Sequence, residues 1–356
     1  MQKVDYIIVG LGIAGLSFCE KLKKNNKTFI VFDTSKNSST LSSGGVINPT
    51  VLKRFTKVWN ADRHISEAIP FYTELSKKLN ISVLDQIPIL RILNGVEEQN
   101  NWMVASDKKG MSSYLSSKLI KNKNPHINAP FGFGKVLGTG RIYSSVLLNA
   151  YKEDLQNNNL LISEKFEYDL LEEVDDVIKY KEISAGKILF AEGISAIKNP
   201  FFPQDPKHNG KKLLIGNKGE YIIINAPDLN LKFMLKASLI IIPLGNDLYK
   251  VGTTYERDNY TNNTTQKAKE ELKTKLSKII NCSFDVVDQI AGIRPTTRDR
   301  RPLMGTLKES SNKVFFNGLG TRGFISAPSL AQNLYNHLEC GEELSYETDI
   351  KRHYHW

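Results

Sequence analysis

The chain has few of the residues that would mark it as a secreted, metal-binding or membrane protein. Its 356 residues include only three cysteines, Cys19, Cys282 and Cys340. They are too scattered for a disulfide framework or a zinc site. The histidines are scattered as well: His64, His126 and His208 have no supporting spacing. The tail residues His353, His355 and Trp356 adjoin no carboxylate or thiol and read as a terminus, so no metal is expected. No stretch approaches the ~20 apolar residues of a membrane helix; the run from Phe233 to Pro243 is short and carries Lys236. The apolar run from Tyr6 to Phe18 follows Asp5, contains three glycines and leads into Glu20 and a lysine-rich stretch. It therefore lacks the form of a cleavable signal. No Ser/His/Asp arrangement stands out, and neither a solenoid repeat nor a low-complexity tract is present. A soluble, cytoplasmic protein is expected.

What is present is enough for a core: 40% of residues are hydrophobic. The length predicts two domains at about 150 residues each. Lysine and arginine exceed the acids by 48 to 38, a net charge of +10 with a sequence pI near 9.2. A basic surface admits a polyanionic partner. The charge is uneven: Glu164 to Asp176 is acidic, while Lys207 to Lys218 and Arg294 to Arg301 are basic.

The start of the chain reads as strand, turn, helix, strand. Val4 to Val9 is β-branched and apolar, Leu16 to Lys24 has helical spacing, and Thr28 to Phe32 is a second apolar strand. Such a unit implies a parallel sheet covered on both faces. The middle differs: Tyr221 to Asn225, Leu231 to Pro243 and Leu248 to Tyr255 are strand-like runs between turn residues, followed by a helix from Thr265 to Ile280. The end returns to strand (Lys313 to Asn317), glycine turn (Gly318 to Gly323) and helix (Ala327 to Leu338). The expected architecture is α/β. A discontinuous Rossmann-like domain over 1–75, 136–200 and 296–356 would carry an inserted antiparallel α+β substrate domain over 76–135 and 201–295.

Gly10-Leu11-Gly12-Ile13-Ala14-Gly15 is a G-x-G-x-x-G turn in the right setting, after a strand and before a helix. Gly10 permits the tight turn, Gly12 lets a pyrophosphate approach the backbone, and Gly15 brings helix and strand together. Free N–H groups at the helix start attract phosphate. Asp33, ending the next strand, suits a ribose diol. The turn alone does not separate NAD from FAD. Two features favour FAD: the small-residue loop Ser42-Ser43-Gly44-Gly45-Val46, and the closing turn Gly318-Leu319-Gly320-Thr321-Arg322-Gly323. A helix start behind that second turn would stabilise negative charge on a reduced flavin.

With these motifs the sequence resembles the FAD-dependent oxidoreductases of the D-amino-acid oxidase type, which include glycine and sarcosine oxidases. The resemblance covers nearly the whole chain. Beyond the turns already named it rests on Ala191-Glu192-Gly193, Gly292-Ile293-Arg294-Pro295 and Pro302-Leu303-Met304-Gly305. The stretch Gly318 to Phe324 with Ser326-Ala327-Pro328, and Arg294 with Thr297-Arg298-Asp299, is most similar to one branch. That branch is the flavin domain of the bacterial tRNA enzyme that oxidises carboxymethylaminomethyl-uridine at the wobble position. There the flavin domain commonly follows a methyltransferase domain, which is not expected here because Met1 directly precedes the nucleotide turn.

The resemblance implies bound FAD and oxidation of a C–N bond to an imine that water hydrolyses. It places Arg294 where the amino-acid oxidases hold the substrate carboxylate, and Phe166 in a strand whose backbone meets the adenine. Expected cofactor contacts are Gly10, Gly12, Ile13, Ala14, Gly15 and Asp33, then Ser43, Gly44, Gly45, Phe166 and Gly193, and finally Gly318, Gly320, Thr321, Arg322, Gly323 and Phe324. The expected catalytic set is Arg294, Tyr255 and Arg322. A bidentate arginine suits a carboxylate, and Pro295 stiffens its backbone. Tyr255, at the end of the apolar strand Leu248 to Thr254, would line the pocket with its hydroxyl. Arg322 would face the flavin edge or the substrate carboxylate. Arg298, Arg300 and Arg301 suit phosphate, except one that would pair with Asp299. The expected partner is a small amine or amino acid. The same oxidation on tRNA, or a flavin-loaded binding protein without turnover, is the alternative, and the oligomeric state cannot be read.

Overall fold

The run of β-branched and apolar residues at the start of the chain forms the strand Gln2–Val9, buried on both faces from Tyr6 onward. Burial on two faces is what a central strand of a covered parallel sheet requires. Parallel partners flank it, Phe29–Phe32 on one side and Ile183–Phe190 on the other. Leu161–Ile162 and Ser310–Asn317 extend the parallel order outward. A hairpin of Leu171–Val174 and Val177–Tyr180 lies antiparallel beside the first half of Ile183–Phe190. The computed structural model describes residues 1–34, 38–205 and 211–353.

Helices Ile13–Lys24, Ala61–Lys78, Ser144–Asn157 and Gly323–Cys340 cover one face of this sheet, burying Leu16, Tyr72, Leu148 and Leu330 in a single apolar cluster. Aromatic rings fill the other face, where Phe32, Phe166, Tyr180, Phe190 and Phe315 pack together. The last helix begins at Gly323, a full turn earlier than the sequence pattern suggests, and carries Pro328 inside it. Proline removes a backbone donor and normally favours the first helical turn. Here the carbonyl four residues back, on Phe324, accepts from the Tyr72 hydroxyl at 2.8 Å, so nothing is left unpaired.

The second sheet is nearly all antiparallel. Its long strands Ile215–Asn225 and Asp285–Thr296 pair along most of their length, and Leu248–Gly252 and Ile240–Gly245 follow on the other side. The apolar run 231–243 is two strands, because it turns at Ala237 and Ser238 between Met234–Lys236 and Ile240–Gly245. Met234–Lys236 then joins Ile89–Ile92, Phe133–Val136 and Leu115–Ile120. Helix Gln266–Leu276 covers one face with Leu272 and Leu276. Lys218 is fully buried on that face, 3.2 Å from Glu220. Glu220 in turn accepts from Thr265 and Gln289, which fixes the start of the helix against the sheet.

The parallel sheet thus draws on three separated stretches of chain, and the antiparallel sheet on the segments between them. Among the described residues no helix is long and apolar enough to cross a membrane.

Candidate functional site

The first glycine turn folds as its residue types require. A Cβ on Gly10 would lie 2.6 Å from the Ala191 carbonyl oxygen, and one on Gly15 would lie 2.1 Å from that of Gly10. Both positions exclude any side chain. Gly12 is different: only the Thr40 hydroxyl, 3.3 Å away, would meet a Cβ there. Helix Ile13–Lys24 starts without a side-chain cap at Gly12 and without an acid in its first turn. Apart from the Ile13 amide, its free N–H groups are open to a ligand. The Ile13 amide donates to Thr40 Oγ1 at 3.1 Å.

Asp33 sits beside this turn. Its Oδ1 accepts from the Leu11 amide at 3.0 Å, whereas its buried Oδ2 has no hydrogen-bond partner, with Lys152 Nζ 3.9 Å distant. Burial raises its carboxyl above the usual range, opposed by the Leu11 hydrogen bond and Lys152. An acceptor buried with a free lone pair is costly unless something donates to it, and a ribose diol does so.

Two further loops converge on the same space. Single-turn helix Ser39–Ser42 leads into Ser43, Gly44 and Gly45. Lys250 on the second sheet donates to the carbonyls of Ser42 and Ser43 at 2.8 and 2.6 Å, tying that loop across the gap. Its ammonium also lies 4.7 Å from the Tyr221 ring centre. Burial pushes Lys250 down to about 8, with Arg141 adding to this and Asp288 opposing it. The folded protein therefore releases this proton more easily than the unfolded chain. Stability contributed by this site rises from about pH 8 to the ordinary value of 10.5 and is lower below that window. Thermal unfolding at about pH 7 and about pH 9.5 should show the rise in the wild type and lose it in Lys250→Met.

The closing turn arrives from the other end of the chain. The Gly320 amide donates to Pro295 O at 3.0 Å, and Asn317 Nδ2 to Gly193 O at 2.8 Å. A Cβ on Gly323 would lie only 3.0 Å from Ile13 Cγ2, so the starts of the first and last helices abut. Neither has an acid in its first turn. Together the three loops and the strand pair 215–225 and 285–296 enclose a cavity of about 630 Å³.

Arg294 lines this cavity from the second sheet. Its Nη2 donates to Thr253 Oγ1 at 2.8 Å, and its guanidinium lies 5.9 Å from the Tyr255 ring centre. No acid pairs with it among the described residues. A Cβ on Gly219, in the neighbouring strand, would fall 2.1 Å from Nη2. The missing side chain there is what lets the guanidinium lie across the strand. Tyr221, Tyr260 and Asn262 complete this end.

The structure brings most of the expected residues together. Gly10, Gly12, Ile13, Ala14 and Asp33 line the cavity at one end. Ser43, Gly44, Gly45 and Gly193 line it in the middle, with Gly320, Thr321, Gly323 and Phe324 beside Arg294 and Tyr255. Gly15, expected among the cofactor contacts, lies outside the lining and instead lets the helix start pack on the Gly10 carbonyl. Tyr255 lies beyond the strand, which stops at Gly252, and is 65% exposed.

Other residues lie elsewhere. Gly318 shapes the turn against Thr297 and Leu303 outside the lining. Phe166 follows the strand Leu161–Ile162 in irregular chain, its ring stacked 4.1 Å from Tyr180 in the apolar core. Its neighbours are aromatic, so burial decides its position. Arg322 is turned away from the cavity: its guanidinium donates to the carbonyls of Asn48 and Thr50 at 2.9 and 3.1 Å. Burial pulls it down to about 10. Arg322→Met would leave those carbonyls without a donor and should cost about 2 kcal/mol, read as a lower urea midpoint.

Asp299 pairs with Arg352 at 2.9 Å, and Arg301 pairs with Glu347. Neither Arg298, Arg300 nor Arg301 forms the expected ion pair with Asp299. His208, His355 and Trp356 lie outside the described residues. Sequence reasoning missed Thr40, Gly219, Lys250 and Thr253. Only Lys250 carried a signal, as a lone charge within an apolar strand.

The unpartnered Asp33 oxygen, the open side of Gly12 and two uncapped helix starts fit the ribose and phosphates of a dinucleotide. The family described as "FAD dependent oxidoreductase" (DAO) matches residues 5–336. In fold, the chain is similar to glycine oxidase from Geobacillus kaustophilus, at a TM-score of 0.75 and 17% identity over 97% of this chain and 96% of that one. It is similar also to iminodiacetate oxidase from Chelativorans sp. BNC1, at 0.75 and 16% over 97% and 99%. L-proline dehydrogenase from P. horikoshii aligns at 0.77 and 15% over 99% and 96%. Architecture and family model agree: the chain belongs to the DAO family of FAD-dependent oxidoreductases.

Proposed function

We propose that this protein oxidises the C–N bond of a small carboxylate-bearing amine, an amino acid or N-substituted glycine, to an imine that water hydrolyses. The observation that carries this reading is Arg294: a guanidinium lining the cavity, with a hydroxyl and a backbone carbonyl as its neighbours and no acid paired to it. Its remaining donors are free for a substrate carboxylate, which they suit in bidentate geometry. The structurally similar glycine oxidase, iminodiacetate oxidase and L-proline dehydrogenase are named for substrates of this kind.

FAD, when bound, supplies the two-electron acceptor. Gly10 to Ala14 and Asp33 would hold its nucleotide end, and Ser43 to Gly45 with Gly320, Thr321, Gly323 and Phe324 its ring end. The remaining work of the protein is positional. Arg294 would anchor the substrate's acid, Thr253 and Gly219 keep the guanidinium in place, and Tyr221 and Tyr260 wall off water. Holding the reacting carbon in register supplies much of the rate in such a reaction.

The test is anaerobic bleaching of the flavin absorbance with glycine, sarcosine, iminodiacetate, proline and D-amino acids. At least one should bleach it, and none doing so would reject the reading. No observation favours the tRNA form of the reaction. Within the basic stretches, Lys218 is buried against Glu220 and Arg301 is paired with Glu347, so neither is free for phosphate.

A further inference from the structure

A second cavity of about 630 Å³ opens on the antiparallel sheet, lined by residues separate from those of the first. Four of its lining residues are cations, Lys53, Arg91, Lys236 and Lys278, and none is an acid. Arg91 and Lys236 are directly paired in register on adjacent parallel strands. Like charges held side by side in a sheet destabilise it. One acid, Glu98, pairs with Arg91 Nη2, so the lining cations exceed it by three, four against one.

Two donors at the floor of this cavity have no acceptor. Arg91 Nε is buried and without a hydrogen-bond partner. Lys236 has neither an ion pair nor a hydrogen bond among the described residues. Burial pushes its ammonium down to about 8, and the Arg91 charge adds to that. Lys53 and Lys278 stand exposed at the mouth. A partly desolvated ammonium held beside a second cation is costly without a counter-charge, and an anion in the cavity would supply one.

We infer that this cavity is an anion site for a phosphate group on a small molecule. A surplus of three positive charges matches a multiply charged phosphate better than a single carboxylate. The converging, concave arrangement is of ligand-site size. Nucleic-acid backbone, by contrast, is followed by basic residues spread along a track. The inference stands independently of the amine-oxidation reading, because it uses none of the same residues.

The test is calorimetric titration of the FAD-loaded protein with pyrophosphate, inorganic phosphate and acetate at low salt, so that the nucleotide cradle is already filled. Pyrophosphate should bind, more tightly than acetate. Lys236→Met, which keeps the aliphatic stem, should weaken it at least tenfold, and Arg294→Gln should leave it unchanged. The exposed pair Lys53→Met and Lys278→Met gives a second check that cannot fail through misfolding of the floor, with a weakening of threefold or more expected. Absence of pyrophosphate binding, equal binding of acetate, or indifference to both sets of substitutions would each overturn the proposal. So would a short RNA oligonucleotide binding more tightly than pyrophosphate and depending on the same lysines.

Discussion

Arg294→Gln should leave a folded, yellow protein whose apparent affinity for its amine substrate has fallen by about a hundredfold or more. Two charge-assisted hydrogen bonds to a carboxylate contribute roughly 3 kcal/mol together, and this substitution removes both. Glutamine ends short of Nη2, so the hydrogen bond to Thr253 Oγ1 is lost with the guanidinium, while the backbone ladder of the two strands is untouched. The loss should fall mainly on KM, with a smaller drop in kcat because the anchored acid also sets the angle of the reacting carbon. Esterified or decarboxylated substrates should react with wild type and variant alike. Steady-state kinetics with both kinds of substrate provide the measurement. Equal KM values for wild type and variant on the carboxylate substrate would remove Arg294 from the anchoring role.

Gly12→Ala should separate cofactor retention from folding. A methyl group at Gly12 meets nothing within 4 Å except the Thr40 hydroxyl, at 3.3 Å, and the backbone there is extended, so the apoprotein should unfold as the wild type does. It would nevertheless occupy the side from which the pyrophosphate approaches the helix start. FAD affinity should fall at least tenfold, about 1.4 kcal/mol, in a fluorescence titration of the apoprotein. Gly10→Ala gives the contrast. Its Cβ would strike the Ala191 carbonyl at 2.6 Å from a backbone with φ of +97°, so the apoprotein itself should lose stability. An apoprotein of Gly12→Ala that binds FAD as tightly as the wild type would show that the phosphates do not pass that residue.

The candidate site divides sharply by how each part is encoded. The glycine turn at Gly10 to Gly15 was legible because strand, turn and helix are contiguous and each glycine answers to a neighbour a few residues away or on the adjacent strand. Arg294 was legible only through family resemblance, since nothing near it in sequence says that Gly219, 75 positions earlier, clears its space or that Thr253 receives its hydrogen bond. Arg322 shows the converse. Its place inside the closing turn suggested a part in the chemistry, yet the chain between Asn48 and Thr50 passes close enough to accept two hydrogen bonds from its guanidinium. Phe166 likewise follows the ring stack around Tyr180.

From the sequence alone came the phosphate turn, the acid that follows it, the covered parallel strands and the alternation between two kinds of sheet. Each depends on backbone freedom or apolar periodicity within a short window of chain. Tertiary structure alone decided which charges are spent and which are left over. Lys250 is consumed by the Ser42 and Ser43 carbonyls, Lys218 by Glu220, and Arg322 by the Asn48 and Thr50 carbonyls. Arg294, Lys236 and one oxygen of Asp33 keep free capacity at cavity walls. A charged side chain finds its partner through space, across distances in sequence that no local pattern records, and the cost of burying it unpaired marks where ligands belong.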